Sequence, residues 1–409
     1  MKQSHLNSSA PRALIVGGSL GGLITAHLLK RIGWQVRIHE RVGDDLAGRG
    51  AGLATHPELV TAFARAGFPL DETLGVSVRS RAFLDADGDP RVRCDIPQVL
   101  TSWNRLFTLL RSPLSDQEYR KNSRFTGAVA SSSGVFVQFD DGSSESADLL
   151  IGADGLRSCV RALCDPKSQP EYAGYVAWRG RLPAHALTGC ADEELTQRFT
   201  IAMRHGEQFI GYPVPPADSA TSATDYNWLW YRPADEHTLL REMCTDANGQ
   251  CHGTGIPPPL LRPSWVAQLR SDAAHSWPES LARAVSATPA PFFQAIFDMR
   301  SRRLVAERVV LVGDAAFVAR PHCGMGVTKA AGDAMALVDA LVLHPGDLAT
   351  ALATYEQHRL HIGSLMVDHA KYLGGLLQTL QDDGTPAIHV MAEVLTKTAV
   401  PPVLREHTA

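Results

Sequence analysis

The chain has no uninterrupted apolar run of the roughly 18 residues that a membrane-crossing helix needs, and Met1 to Arg12 is polar, without the apolar centre of a secretory signal. Membrane insertion and secretion are therefore not expected, and the cytoplasm is the default compartment. Long runs of Lys or Arg are missing too. With 39 basic and 43 acidic residues the formal net charge is -4, so no basic field is offered to nucleic acid. The seven cysteines, at positions 94, 159, 164, 190, 244, 251 and 323, form no C-x-x-C pair. That odd, scattered set excludes a disulfide framework and a cysteine cage for zinc, and fits reduced thiols. Sixteen histidines are dispersed, and the close pair His358 and His361 has no third ligand nearby, so no metal is expected.

What is present is an ordinary enzyme composition: 409 residues, 44% hydrophobic and 20% charged, enough for a large core in two or three packed domains. Ala13 to Val16 is a short apolar run that meets Gly17-Gly18-Ser19-Leu20-Gly21-Gly22. Helical spacing of apolar residues follows over Leu23 to Ile32, Gly33-Trp34 stops it, and Gln35 to His39 alternates as a second strand ending at Glu40. This is a βαβ unit at the N-terminus. Val135 to Phe139 and Ala147 to Ile151 flank the turn Asp140-Asp141-Gly142-Ser143, so a hairpin leads into Ile151-Gly152-Ala153-Asp154-Gly155. From Tyr172 to Arg232 the chain becomes aromatic and β-branched in short runs, Tyr175 to Arg181, Phe199 to Met203, Gln208 to Val214 and Asn227 to Tyr231, which predicts an antiparallel sheet. Arg308 to Val312 then reads as a buried strand before Gly313-Asp314. Helices are predicted from about Gly326 to Leu343 and from Leu348 to about Leu380.

Each motif carries a chemistry. A glycine-rich turn between strand and helix brings backbone close to a pyrophosphate, and the helix start offers free N–H groups to it. Here the spacing is G-x-S-x-x-G over Gly17, Ser19 and Gly22, with Ser19 at the middle position. Glu40 follows 18 residues after Gly22, where a carboxylate can accept the hydroxyls of an adenosine ribose. Asp314, at the end of a buried strand, is a carboxylate able to accept hydrogen bonds from a bound ligand, and Pro321-His322-Cys323-Gly324-Met325-Gly326 brings backbone donors to a helix start.

Three segments together give a resemblance to the single-component FAD-dependent aromatic hydroxylases of the p-hydroxybenzoate hydroxylase superfamily. They are the N-terminal glycine turn, Ile151-Gly152-Ala153-Asp154-Gly155-Leu156-Arg157-Ser158, and Val310-Leu311-Val312-Gly313-Asp314-Ala315-Ala316. Their order and distances match over nearly the whole chain. Tyr172 to Gly180, Arg49-Gly50-Ala51-Gly52, Pro57-Glu58-Leu59-Val60 and Arg320-Pro321-His322 are similar to the branch of that family that hydroxylates dihydroxylated pyridines. Thr101-Ser102-Trp103 shares with that branch an aromatic where most relatives carry an arginine on the FAD.

The resemblance implies an α/β fold: a Rossmann-like FAD-binding domain with an inserted antiparallel-sheet substrate domain and C-terminal helices. The expected divisions are 1–170 and 301–345 for the FAD-binding domain, 171–300 for the substrate domain and 346–409 for the C-terminal helical segment. FAD is expected to meet Gly17, Ser19, Leu20 and Gly22, then Glu40, Arg41, Arg49, Gly50, Trp103 and Asp154. Asp314, Pro321, Gly324, Met325, Gly326 and Val327 complete its site. The resemblance also implies transient NADH or NADPH, because the one dinucleotide fingerprint goes to FAD. O2 is the co-substrate, adding to the reduced flavin as a C4a-hydroperoxide that a hydroxyl-activated ring attacks.

For the substrate, a small hydroxylated pyridine or related heteroaromatic, the resemblance places Tyr212 and His322 near the ring face. His322 is the expected catalytic base and Tyr212 its companion. Arg179 and His56 are weaker candidates for substrate binding, and against each stands an ordinary packing or surface role. A phenolic acid is the nearest alternative substrate, distinguished by a pocket cation for a carboxylate, Arg179 or Arg204. A non-catalytic flavin-binding sensor is a third reading. A flavin disulfide reductase would need a C-x-x-x-x-C near the N-terminus, and the sequence has none. The sequence leaves the oligomeric state open, with a homodimer as the assembly to consider.

Overall fold

A computed structural model describes residues 10–44, 46, 52–69, 74–187, 192–204, 206–216, 224–378 and 386–401. Strand β1 (Arg12–Val16) runs parallel to β2 (Gln35–His39) on one side and to Leu149–Gly152 on the other. Val309–Leu311 extends the parallel set beyond Leu149–Gly152, and Tyr119–Arg120 closes the far edge beyond β2. β1 and Leu149–Gly152 are almost wholly apolar because both sheet faces are covered, as parallel sheets require. Helix α1 (Leu20–Arg31) packs on the long helix Gly326–Leu343, which in turn packs on Leu348–Gly375.

An eight-stranded sheet forms the second layer. Its order is Phe317–Val318, Phe292–Arg300, Glu171–Pro183, Asp225–Pro233, Glu207–Val214, Phe199–Arg204, Arg81–Leu84 and Pro90–Cys94. The sheet thus draws on more of the chain than residues 171–300. Arg81–Leu84 and Pro90–Cys94 come from within 1–170, because the chain crosses to this layer once before returning to the parallel sheet. Phe317–Val318 comes from within 301–345.

Side chains alternate across this sheet. Val176, Trp178, Phe209, Tyr226, Trp228 and Trp230 form the core under helices Pro263–Ser276 and Glu279–Ser286, where the indole N–H of Trp228 donates to Thr288 at 2.8 Å. Tyr175, Ala177, Ile201, Ile210, Tyr212, Leu229 and Tyr231 take the opposite face, packing with Cys323, Met325 and the C-terminal helix Ile388–Lys397. Two faces with two separate cores leave one of them turned toward the Pro321–Gly326 loop.

Candidate functional site

Gly17 sits at φ 110°, and a Cβ there would strike the Ala153 carbonyl; a Cβ on Gly22 would strike the carbonyl of Gly17. Only glycine permits the turn to close this tightly between β1 and α1. Ser19 is the N-cap of α1, but its side chain makes no cap hydrogen bond and the first turn carries no acidic residue, so the helix start keeps free donors. Glu40 is buried and accepts the N–H of Gly18 at 2.8 Å and of Val42 at 2.9 Å, one on each oxygen. A carboxylate oxygen has a second lone pair, so Glu40 can brace the turn and still accept ribose hydroxyls. Leu20 is buried behind the turn, and Arg41 is exposed beside it. Arg49 and Gly50 lie outside the described residues.

The Asp-Gly and Gly-Asp segments meet on the other side of β1. Asp154 spends its carboxylate on its own loop, accepting from Ser158 at 2.6 Å and from the N–H groups of Cys159 and Val160. The next helical turn carries Arg161, which donates to the Ala315 carbonyl at 3.2 Å and so ties one motif to the other. Gly313 donates its N–H to Asp333 at 2.8 Å, and Asp333 is paired with Arg359 at 2.6 Å in the interior. This fixes the neighbouring Asp314, whose side chain is about half exposed (51%), with an oxygen 3.4 Å from the Lys329 ammonium, and can meet a ligand on its open side. Trp103 opens helix Trp103–Arg111, stacked on Phe107, with Ser102 as its cap.

The loop Pro321–Gly326 turns at Gly324, φ 63°, and leads into helix Gly326–Leu343 with an exposed Gly326 and a part-exposed Val327. The glycine cradles, the uncapped start of α1, Glu40 and the open carboxylate of Asp314 fit FAD. Cys323 is buried and its thiol is pushed up to about 11, by burial first, so it is an inert thiol. Among the described residues there is no metal-binding cluster, all six cysteines are free, and no helix is long and apolar enough to cross a membrane.

The substrate-side candidates stand close together but differ in how they are used. His322 is fully buried. Its Nδ1 faces the acceptor Oε1 of Gln208 at 3.0 Å, so Nδ1 carries the proton, and Nε2 accepts from the Tyr175 hydroxyl at 2.8 Å. Burial first, and the nearby Arg320 second, pull its pKa down to about 3. Both ring nitrogens are therefore occupied by protein, and the ring stays neutral. His56 is likewise enclosed between the Thr328 hydroxyl at 2.8 Å and the Ala399 carbonyl at 3.1 Å.

Arg179 lies on the loop-facing side of the sheet. Register aligns Ala177 with Tyr231 and Gln208, Arg179 with Leu229 and Ile210, and Arg181 with Asn227 and Tyr212. Directly paired residues share a face. The charge of Arg179 acts on both Tyr212 and Tyr231, and burial pushes the Tyr212 hydroxyl up to about 12. Three buried donors on this face, Arg179 Nε, Tyr231 OH and Asn227 Nδ2, have no hydrogen-bond partner among the described residues. Arg204 instead donates to the Ser276 carbonyl. The sequence reading missed Tyr231 and Asn227, although they lie four residues apart, two steps of two through Leu229, and so share one face of the strand. It also missed Tyr175 and Gln208.

A wide surface groove of about 1010 Å³ lies elsewhere, at the amino ends of β1 and β2, lined by Arg12, Arg37, Arg120 and Glu145. Its charges are paired, Arg37 with Glu145 at 2.7 Å and Arg120 with Asp141 outside the groove at 3.0 Å, and ligands of open parallel sheets bind at the carboxyl ends.

Comparison with known proteins agrees with this geometry. A family described as FAD binding domain matches residues 267–370, and one described as FAD binding domain-like matches 172–298. The chain is 31% identical over 379 residues to a 2,6-dihydroxypyridine 3-monooxygenase of Paenarthrobacter nicotinovorans, covering 91% of this chain and 93% of that one. It is 25% identical to a 6-hydroxynicotinate 3-monooxygenase of Bordetella bronchiseptica, over 85% and 88% of the two chains. The solved structure of 2,6-dihydroxypyridine-3-hydroxylase from Arthrobacter nicotinovorans superposes with a TM-score of 0.85 at 30% identity, covering 90% of this chain and 93% of that one.

Proposed function

The chain belongs to the FAD-dependent aromatic hydroxylases, and from that premise we propose that it hydroxylates a small hydroxylated pyridine or related heteroaromatic bound as an anion, using NADH or NADPH and O2. The observation that carries this reading is the set of unpartnered buried donors, Arg179 Nε, Tyr231 OH and Asn227 Nδ2, on the sheet face turned to the Pro321–Gly326 loop. A buried donor without an acceptor costs roughly 1–3 kcal/mol, and more for a charged group, so a site built this way favours a ligand rich in acceptors and negative charge.

When bound, FAD would carry electrons from the nicotinamide to O2, one atom of which goes to the ring while the other leaves as water. The chain's own residues do the rest. Gly17, Ser19, Leu20 and Gly22 take the pyrophosphate, Glu40 the ribose and Asp314 the ribityl chain. Arg179 holds the substrate's anionic oxygen, and an oxyanion on the ring raises its electron density for attack. The aromatic and aliphatic face formed by Tyr212, Ile210 and Leu229 keeps water from the reacting centre. His322 orients Tyr175 and Gln208 beneath this face; the proton of a neutral substrate would leave before binding, by selection of the anion at Arg179.

A second reading is favoured by the same cation: a ring carrying a carboxylate, as phenolic and pyridine acids do, would also pair with Arg179. The test is a panel of dihydroxypyridines, hydroxynicotinates and hydroxybenzoates, scored by how strongly each accelerates anaerobic flavin reduction by NAD(P)H and by the hydroxylated product formed in air. Stimulation by dihydroxypyridines supports the first reading, and by acids alone the second. No stimulation by any ring would overturn both.

A further inference from the structure

Most of the buried charged groups around the cofactor crevice have their hydrogen-bonding needs met within the fold. Asp333 accepts from Arg359 and from Gly313, while Arg359 also donates to the Lys329 carbonyl. Lys329 is the exception. Its side chain is 1% exposed, yet its Nζ has no hydrogen-bond partner among the described residues, and its one ion-pair partner is Asp314 at 3.4 Å, itself half in solvent. An ammonium carries three donors, and burying it without acceptors costs several kcal/mol. The position is informative. Lys329 stands in the first turn of helix Gly326–Leu343, and Ala330 beside it packs against both Gly21 and Gly313, so the helix start lies where the two glycine turns converge.

We propose that Lys329 is a cofactor-directed positioning residue: its ammonium holds the Asp314 carboxylate in register for the ribityl chain of bound FAD, and acceptors of the cofactor complete its own hydrogen bonds. The proposal rests on the assignment of FAD to this crevice and is independent of the substrate. A cation so placed also favours the negatively charged reduced flavin over the neutral oxidised one.

The test uses the full-length chain with and without FAD. Lys329→Met removes an incompletely satisfied charge, so the FAD-stripped protein keeps its thermal midpoint or gains in it. The FAD dissociation constant rises about tenfold to a hundredfold, the worth of hydrogen bonds to a charged group, and the flavin midpoint potential falls. Asp314→Asn leaves the ammonium alone and lowers the midpoint of the FAD-stripped protein. Combining the two substitutions restores that midpoint without restoring FAD affinity. If Lys329→Met does not fold, Lys329→Gln is carried through the same comparison. An FAD dissociation constant within twofold of wild type, with the FAD-stripped protein destabilised, would make the pair a structural tie and overturn the proposal. Failure of the unsubstituted protein to bind FAD would instead sink the assignment of the crevice.

Discussion

Tyr175 and His322 are joined by a 2.8 Å hydrogen bond in which the phenol donates and Nε2 accepts, and that bond decides what the histidine can do. With Nδ1 donating to Gln208, no lone pair remains for a substrate proton. Tyr175 lies 3.5 Å from Arg320, which is held by Asp298 at 2.8 Å, so the imidazole belongs to a chain of buried polar groups that fastens the Pro321–Gly326 loop to the sheet. Neutrality is enforced from both sides, by burial and by the arginine charge.

Replacing His322 with Gln should accordingly lower the thermal midpoint and loosen the loop, while leaving the pH profile of oxygen transfer between about pH 5.5 and 8 unchanged in shape. Single-turnover rates across that range give the answer. A wild-type profile with a break near pH 6.5 that disappears in His322→Gln would return the histidine to the role of base.

Acid stability follows from the same physics. Burial lowers the pKa of His322 to about 3 and of His39 to about 4, and lowers those of His27 and His56 as well. The folded state keeps these rings neutral, whereas the unfolded chain takes up protons below about 6.5. Their contribution is therefore complete above pH 6.5 and is lost as pH falls toward the folded values, by up to about 1.4 kcal/mol per pH unit for His322 and for His39. Thermal midpoints should drop from about pH 6.5 to 5, less steeply in His322→Gln. A flat profile would mean that these rings are not buried neutral.

The sequence carried the dinucleotide turn, four strands of the second sheet though not Phe292–Arg300, and the helix Gly326–Leu343, because each is a local pattern: glycine at a turn, alternation along a strand, apolar spacing along a helix. It could not carry the use of individual polar groups. Asp154 turns inward to its own loop, and His56 is taken by Ala399, a residue 343 positions away. Such pairings depend on which distant segment arrives beside the residue. For the same reason the sequence reading did not find Arg81–Leu84, which only the fold joins to Phe199–Arg204.

Arg179→Met should raise the substrate dissociation constant about tenfold to a hundredfold, the worth of a hydrogen bond to a charged group, with FAD content unchanged. Arg179→Lys should recover part of the loss, since it restores the charge but not the planar fork. Titration of the substrate-perturbed flavin spectrum measures both. Equal affinity in Arg179→Met would remove the arginine from the site.

Glu40→Ala takes away the brace on Gly18 and Val42 together with the expected ribose acceptor. FAD retention through gel filtration should fall, and any product formed with added FAD should be the wild-type product. Full retention would mean that the turn holds the cofactor through the glycines and the α1 start alone.

Arg81 offers the last prediction, and its effect reaches the loop from a distance. Its guanidinium is wholly buried, lies over the Phe199 ring, and donates to the carbonyls of Leu395 and Thr398 and to Gln98. It therefore holds the end of helix Ile388–Lys397, where free carbonyls and the helix dipole welcome a cation. Two residues beyond the helix, Ala399 is in the left-handed region at φ 51° and donates its N–H to the His322 carbonyl at 2.9 Å. Its own carbonyl receives Gln98 at 3.0 Å, and a Cβ on Gly324 would meet its side chain at 2.8 Å. The C-terminal segment is thus a strap across the Pro321–Gly326 loop, and Arg81 is its buckle. Arg81→Met leaves those carbonyls without their donor inside the core and should cost about 3–5 kcal/mol, the usual result of breaking a buried charged network. Hydrogen exchange should rise at residues 395–399 and 322–325 together, ahead of global unfolding. If exchange rises at 395–399 and stays wild-type at 322–325, the strap does not fasten the loop.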